Sequence, residues 1–370
     1  MKAGWEIKTF ENVLEIKNGR NQKAVQKENG QYPIYGSAGN VMGWADDYIC
    51  EAGTTIVGRK GTINNPIYTE TKFWNVDTAF GLSPKEFLDS KFLHYFCISY
   101  DFSEHNRGTT IPSLVKTDLL QIKIPLPPLH EQKRLVTLLD EAFESIATAK
   151  ANAQQNLKNA HALFESHLQD IFEKRGEGWE DKKLGKIADV QSGGTPLVSE
   201  KNYWSGETAW YSSGELNNIY TTDPQRKITQ MGLDNSNAKL FPTGSLLIGM
   251  YDTAALKMSI LDRDAGFNQA IAGVKPNEKI EVEFILHAIN ANKPRLLLER
   301  RGVRQKNLSL EKIKDIAIPL PNLNEQRAVI SRIHDVMTET QRLEALYSRK
   351  IAALDELKKA LLHRAFSGEL

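Results

Sequence analysis

Little in this chain could carry covalent, redox or metal chemistry. It has only two cysteines in 370 residues, Cys50 and Cys97. They form no metal-ligand spacing, and in a chain of this size they are expected to stay reduced in a cytosolic protein. The eight histidines form no ligand cluster in sequence, and His130-Glu131 opens no His-Glu-x-x-His zinc site. The phosphate loop Gly-x-x-x-x-Gly-Lys-Ser/Thr is absent, which excludes an ATP motor of that class. Asn65-Pro66-Ile67-Tyr68 approaches the Asn-Pro-Pro-Tyr motif of amino-methyltransferases. It carries Ile where the second Pro belongs, and no glycine-rich cofactor loop accompanies it, so it reads as a turn. No run of about 18 apolar residues occurs, and no membrane span is expected. Met1-Lys2-Ala3-Gly4-Trp5 leads straight into mixed polar sequence, with no signal peptide. An excess of one charge is missing too. A net charge of +1 argues against a histone-like polycation and confines any nucleic-acid surface to local patches. No catalytic residue, metal or cofactor is expected, and the expected location is cytoplasmic.

What the chain has instead is repetition. Residues 124–136 read Ile-Pro-Leu-Pro-Pro-Leu-His-Glu-Gln-Lys-Arg-Leu-Val, and residues 318–330 read Ile-Pro-Leu-Pro-Asn-Leu-Asn-Glu-Gln-Arg-Ala-Val-Ile. Seven of the thirteen positions are identical, and three more are Lys/Arg or aliphatic exchanges. The offset of 194 holds from Arg107-Gly108 against Arg301-Gly302, through Leu114 against Leu308, to Phe172 against Phe366. Gly4-Trp5-Glu6 recurs as Gly178-Trp179-Glu180 at an offset of 174, and Gly19 matches Gly193. The 20-residue difference between these offsets therefore lies in the front half of the second copy. Internal repetition on this scale sets the architecture before any local reading. Each unit has a variable front, suited to specificity, and a rigidly spaced back, suited to geometry.

The back of each unit is a long helix. From Leu129 to Arg175 no proline or glycine interrupts the chain. Leu135, Leu139, Ala142, Ile146, Ala149, Ala153, Leu157, Ala160, Phe164, Leu168 and Ile171 recur at alternating steps of three and four, a coiled-coil seam. The second copy offers Val329, Ile333, Val336, Thr340, Leu343, Tyr347, Leu354, Leu357 and Leu361. Gly176 and Gly178 end the first helix and Gly368 the second. About 42 residues make a helix of roughly 60 Å. Such a seam needs a partner, and the other copy in the same chain is the economical one, placed antiparallel with one globular unit at each end. The division predicted is a first globular domain over 1–122, a spacer helix over 123–175, a second domain over 176–316 and a second spacer helix over 317–370.

The globular domains read as mixed α/β (α+β) and strand-rich. Tyr48-Ile49-Cys50, Thr54–Gly58 and Ser245–Gly249 are short apolar runs between glycine-containing turns, and Phe87–Ser99 and Glu283–Ala291 suit helices. Basic segments follow the strands: Arg59 and Lys60 in the first domain, Arg226 and Lys227 in the second. Arg300, Arg301 and Arg304 head a segment with four positive charges in seven residues, and Arg107 marks its first-domain counterpart. Arg and Lys among Asn, Gln and Thr suit phosphate and base-edge contacts. The competing reading of any one such loop is a solvated surface.

Taken together these features resemble the specificity subunits of type I restriction-modification systems. The resemblance rests on the Ile-Pro-Leu-Pro-x-Leu-x-Glu-Gln-Lys/Arg blocks at 124–133 and 318–327. It also rests on the helix ends Leu168–Phe172 and Leu362–Leu370, and on the variable-region wording Gly30–Gly39 and Ser192–Pro196. It covers the whole chain. It implies two DNA target-recognition domains joined by a long antiparallel two-helix coiled coil, an internal two-fold pseudo-repeat. Each domain would read one half of an asymmetric bipartite target, and the helices would set the half-site spacing. It implies no catalysis by this chain. Adenine methylation would belong to two S-adenosylmethionine-binding methyltransferase subunits, and ATP-driven translocation and cleavage to restriction subunits. The best-matched side chains, Glu131, Gln132, Glu325 and Gln326, are the candidate docking points for two copies of one partner. Their alternative role is to cap their own helix starts, where Glu favours the dipole. Two rival functions are a coiled-coil tether that binds other proteins and an enzyme with an unrecognised active site. Salt-sensitive affinity for duplex DNA separates the first, and methyl transfer by the isolated chain separates the second.

Overall fold

Both copies of the repeat fold on one plan, in which short strands carry the apolar runs and the proline-rich blocks close a sheet edge. The structure, a computed structural model, describes residues 4–299 and 308–370. It divides into a first unit of residues 1–155 with 347–370 and a second unit of residues 156–346. The first begins with β1 (Glu6–Thr9), α1 (Phe10–Val13), β2 (Leu14–Asn18), β3 (Gln26–Lys27), β4 (Tyr32–Tyr35), β5 (Val41–Ala45) and β6 (Thr54–Gly58). It continues through β7 (Ile67–Thr69), β8 (Trp74–Asn75), β9 (Ala79–Pro84), α2 (Ser90–Ser99), α3 (Lys116–Leu120) and β10 (Lys123–Leu126) into α4 (Leu129–Glu173).

The second unit repeats this with β11 (Glu180–Lys183), α5 (Leu184–Ile187), β12 (Val190–Ser192), β13 (Trp204–Tyr211), β14 (Arg226–Ile228), α6 (Gln230–Asp234) and β15 (Leu246–Gly249). Then come β16 (Met258–Ile260), β17 (Ala265–Phe267), β18 (Ile271–Val274), α7 (Val282–Glu299), α8 (Leu310–Lys314), β19 (Ala317–Leu320) and α9 (Leu323–Ser367). An antiparallel sheet β2-β9-β6-β7 in the first unit answers β12-β18-β15-β16 in the second. A smaller sheet, β3-β5-β4-β8 against β14-β13-β17, contains one parallel pair in each unit.

The Ile-Pro-Leu blocks are strands of the globular units, not the starts of the spacer helices. β10 pairs with β1 with Ile7 opposite Pro125, and β19 pairs with β11 with Asp181 opposite Pro319. Proline cannot donate to a ladder, and a two-stranded ribbon has outer edges where none is required. The long helices themselves start at Leu129 and Leu323. Tyr48-Ile49-Cys50 is not a strand either; Cys50 makes only an isolated bridge to Phe73. Most of the extra residues of the second copy fall in the two connections that flank β14, since the offset rises from 176 at Tyr35 and Tyr211 to 191 at Gly58 and Gly249.

Each 45-residue helix begins in one unit and ends in the core of the other. Leu135 and Leu139 of α4 share the first unit's core with Phe92, Leu93 and Phe96 of α2 and with Leu362 and Ala365 of α9. Leu168 and Phe172 share the second unit's core with Phe284 of α7 and with Val329 and Ile333 of α9. Within the first unit Lys150 bonds Asp355 at 2.6 Å, and within the second His161 meets Glu344 at 3.0 Å. The pairing is antiparallel in both. The α9 seam differs from expectation in its last third. Leu357 is 47% exposed, and the covered positions run through Ile351, Leu354, Lys358, Leu361 and Leu362. Lys358 holds the seam by laying its ammonium 4.8 Å from the Phe143 ring centroid.

This phase makes a direct stability test. Leu362 is 4% exposed, so Leu362→Ala should cost about 2–5 kcal/mol in urea unfolding. Leu357→Ala should stay within about 0.5 kcal/mol of wild type. Equal losses at the two positions would contradict the assigned phase.

Candidate functional site

The repeated Glu-Gln pair lies at each helix start, and its glutamine faces inward. Gln132 is fully buried. Its Oε1 accepts from the Asp89 amide at 2.8 Å, and its Nε2 donates to the carbonyls of Phe87 at 3.0 Å and Pro127 at 2.8 Å. Gln326 does the same in the second unit. Its Oε1 accepts from the Glu281 amide at 2.8 Å, and its Nε2 donates to Lys279 at 3.3 Å and Pro321 at 2.9 Å. Both carboxamides are buried and hydrogen-bonded within their own units. Glu131 pairs with Arg134 at 2.7 Å, and Glu325 accepts from the Trp179 indole at 2.6 Å. These glutamates sit half-buried at the rim.

Further contacts reinforce the latch. In the first unit Lys91 of α2 bonds Asp140 of α4 at 2.9 Å, and the Tyr95 hydroxyl donates to the same carboxylate. In the second, Glu281 meets Arg327 at 2.6 Å and Glu283 meets His334 at 2.6 Å. His287 is buried one turn along from Glu283, its Nε2 3.6 Å from the carboxylate. His287 and then His334 hold the Glu283 carboxyl down to about 2, against the opposing effect of burial.

In the first unit the fold brings the predicted basic residues together. Gly58 ends β6 in a turn so tight that a Cβ there would lie 1.9 Å from the Thr62 carbonyl. Arg59 and Lys60 follow it. Lys60 bridges to Ser113, the Gly61 amide donates to Pro112 at 2.9 Å, and the Arg107 amide donates to Ser113 at 2.8 Å. Arg59, Lys60 and Arg107 thus share one surface built by two loops. The Arg107 guanidinium bonds Asp118 at 2.8 Å and remains 69% exposed. The tip of the β4–β5 hairpin joins them, with Ala38 accepting from the Asn65 side chain.

The second unit is built differently at this point. The structural counterpart of Arg59-Lys60 is Met250-Tyr251, because Leu308 donates to the Met250 carbonyl as Leu114 donates to that of Arg59, both at 2.8 Å. Arg226 and Lys227 are not on a loop after a strand, as expected; they are β14 itself. Arg226 stands 5.4 Å from the centroid of the Trp204 ring. A groove beside them is also lined by Lys201 and Gln225, which the sequence reading missed because Lys201 lies 25 residues from Arg226 in the chain. Arg300, Arg301 and Arg304 lie outside the described residues. Cys50 and Cys97 are free and buried. Burial pushes the Cys50 thiol up to about 12 and raises that of Cys97 as well. Among the described residues no cluster of three His, Cys, Asp or Glu could hold a metal, and no helix is long and apolar enough to cross a membrane.

Two outcomes follow from the latch. Gln326→Leu keeps the bulk but orphans the Glu281 amide and two carbonyls, and should cost roughly 1–3 kcal/mol in urea unfolding; wild-type stability would mean that the glutamine is a surface group. Glu283 titrates below its ordinary 4.5, so its contribution is complete above that pH and is lost as pH falls towards about 2. The second unit of wild type should therefore weaken across that window. Glu283→Gln should flatten the slope, and an unchanged slope would remove Glu283 from the account.

The chain was compared with known proteins. The family profile described as type I restriction modification DNA specificity domain matches residues 2–159 and 176–351, once for each copy of the repeat. The EcoR124I/EcoR124II specificity subunit of Escherichia coli is 28% identical over 251 residues, spanning 62% of this chain and 59% of that protein. The MjaVIII specificity subunit of Methanocaldococcus jannaschii is 23% identical over 347 residues, spanning 86% and 76%. The EcoDI specificity subunit of E. coli is 20% identical over 431 residues, spanning 100% and 89%. Among solved structures, one describing complex assembly and conformational transition of the type I R-M system has the same fold, with a TM-score of 0.83 at 18% identity over 100% of this chain and 99% of that one. The HsdS subunit of Thermoanaerobacter tengcongensis follows with 0.66 at 19% over 100% and 98%. The chain belongs to the type I restriction-modification DNA specificity family, as a specificity subunit.

Proposed function

We propose that each unit reads one half of an asymmetric bipartite duplex-DNA target, and that the paired helices carry the two readers at a set separation. The observation that supports this best is a scaffold repeated element by element whose exposed basic chemistry differs between copies. The first unit offers Arg59, Lys60 and Arg107 on adjoining loops; the second offers Arg226 and Lys227 on a strand. Arg300, Arg301 and Arg304 are assigned to the second reader on sequence alone. Arginine offers either a bidentate match to guanine or a charge for phosphate, so basic groups held at different places on equivalent scaffolds meet the two halves of the target differently.

In this reading the chain directs two methyltransferase subunits to adenines in the target, and restriction subunits join through them, in the cytoplasm. The partners dock on the outer faces of α4 and α9 near their starts, with Glu131 and Glu325 at the rim. The latched glutamines lie behind that surface and hold it in register with the recognition unit. Equivalent helix starts suit two copies of one partner.

The purified chain with S-adenosylmethionine and duplex DNA should transfer no methyl groups. Combined with its methyltransferase subunits it should methylate adenine at one bipartite sequence. Transfer by the chain alone, or a complex that modifies DNA without sequence preference, would contradict the proposal.

A further inference from the structure

A groove beside β14 carries three cations on its lining. It encloses about 650 Å³, within the range of small-ligand clefts. Lys201, Arg226 and Lys227 line it with Trp204, Ser205 and Gln225, and no acidic side chain does. Among the described residues these three cations form no ion pair. Of the acids nearby in the chain, Asp223 bonds Arg263 at 3.0 Å and Glu215 accepts from the Ser212 amide and hydroxyl and from the Gln225 amide, while Glu200 and Glu207 are exposed beside the lining residues.

The walls are fixed rather than adaptable. Thr229 donates to the carbonyls of Asn202, through its hydroxyl at 2.7 Å, and Tyr203, through its amide at 3.0 Å. A Cβ on Gly206 would lie 2.4 Å from the Ile228 carbonyl, and one on Gly232 2.5 Å from that of Tyr203. Ser205 sits at φ +64°, where β13 is bulged against β14. That left-handed position is unfavourable for a residue with a Cβ, and such strain collects at binding sites. The Trp204 indole donates to the Leu197 carbonyl at 3.2 Å, so the ring under Arg226 is itself held.

The repeat supplies an internal comparison. Tyr35 and Tyr211 each end a strand and pair in parallel with Asn75 and Phe267. Two residues earlier, Pro33 lies opposite Trp44 and Ala209 opposite Lys227. Gly43 and Trp44 of β5 therefore occupy the places of Arg226 and Lys227. Trp44 and Met42 there are each 47% exposed, where the second unit exposes cations.

We propose that this groove clamps the sugar-phosphate backbone of duplex DNA, that Lys201, Arg226 and Lys227 position the strand without reading bases, and that the first unit has no such clamp. The inference rests on the proposed reading of DNA by both units and assigns one role within it. Arg226, braced over Trp204, is a positioning group, and base reading in the second unit falls to other residues. Phosphate contacts fix register and carry no direct sequence information.

The test uses the full chain assembled with its methyltransferase subunits and compares wild type with Lys201→Gln/Arg226→Gln/Lys227→Gln. All three side chains are exposed, and thermal melting checks that the variant folds as wild type does. Affinity for target and for unrelated duplexes should fall alike, by roughly tenfold or more at moderate salt. The slope of log affinity against log salt should shrink by about 0.9 for each charge removed, while the methylated sequence stays the same. Trp44→Gln at the matching place in the first unit should leave the slope unchanged. An unchanged slope in the triple variant overturns the clamp, and so does relaxed specificity at a defined base position. Loss of sequence-specific binding by the wild-type complex would overturn the underlying reading, and the clamp with it.

Discussion

One buried carboxamide holds each recognition unit to the helix that follows it, Gln132 in the first and Gln326 in the second. A buried amide is tolerated only when its donor and acceptor are both satisfied. Gln132 and Gln326 meet that condition in the same way, with one amide from the residue before α2 or α7 and two carbonyls from the connections on either side. Rotating a unit on its helix would break three hydrogen bonds of a buried side chain at once. The Pro-containing ribbons β1–β10 and β11–β19 complete the joint, because they run directly into the latched helix start. Repetition of the glutamine in both copies is accounted for by this packing requirement.

With that joint common to both units, differences are free to collect elsewhere. They do so around β14, where the flanking connections of the second copy are longer and where Arg226 and Lys227 replace Gly43 and Trp44. The loop after β6 shows the reverse exchange, with Arg59 and Lys60 standing where the second unit has Met250 and Tyr251. Positive charge is therefore carried at different places on equivalent scaffolds. A net charge of +1 for the whole chain conceals these local concentrations, which are what a polyanionic ligand meets.

The repeat, the strand-rich units and both long helices were legible in the sequence because each is a periodic or duplicated signal. The phase of α9 beyond Tyr347 was not, because Lys358 occupies a seam position through its stem and its ring contact with Phe143 while Leu357 points to solvent. Apolarity alone misplaces such a pair. The Ile-Pro-Leu blocks read as helix entries because proline often precedes a helix; only pairing with a strand more than 100 residues away reveals them as sheet. Burial of Gln132 and Gln326 left no trace beyond their repetition, which docking explains equally well. The groove around Lys201, Trp204 and Arg226 depends on a bulge and a hairpin, and no sequence spacing announces it. Arg59-Lys60 and Arg226-Lys227 are alike in composition, whereas strand register places them at different points of the scaffold.

The most direct test of the account is an exchange of residues 1–128 for the matching segment of another specificity subunit, cutting at the helix start rather than within the ribbon. Sequencing-based methylation maps of the resulting complex should show one half-site replaced, the other retained, and the gap between them unchanged. A change in both half-sites, or a shift in the gap, would contradict independent readers latched to a common pair of helices.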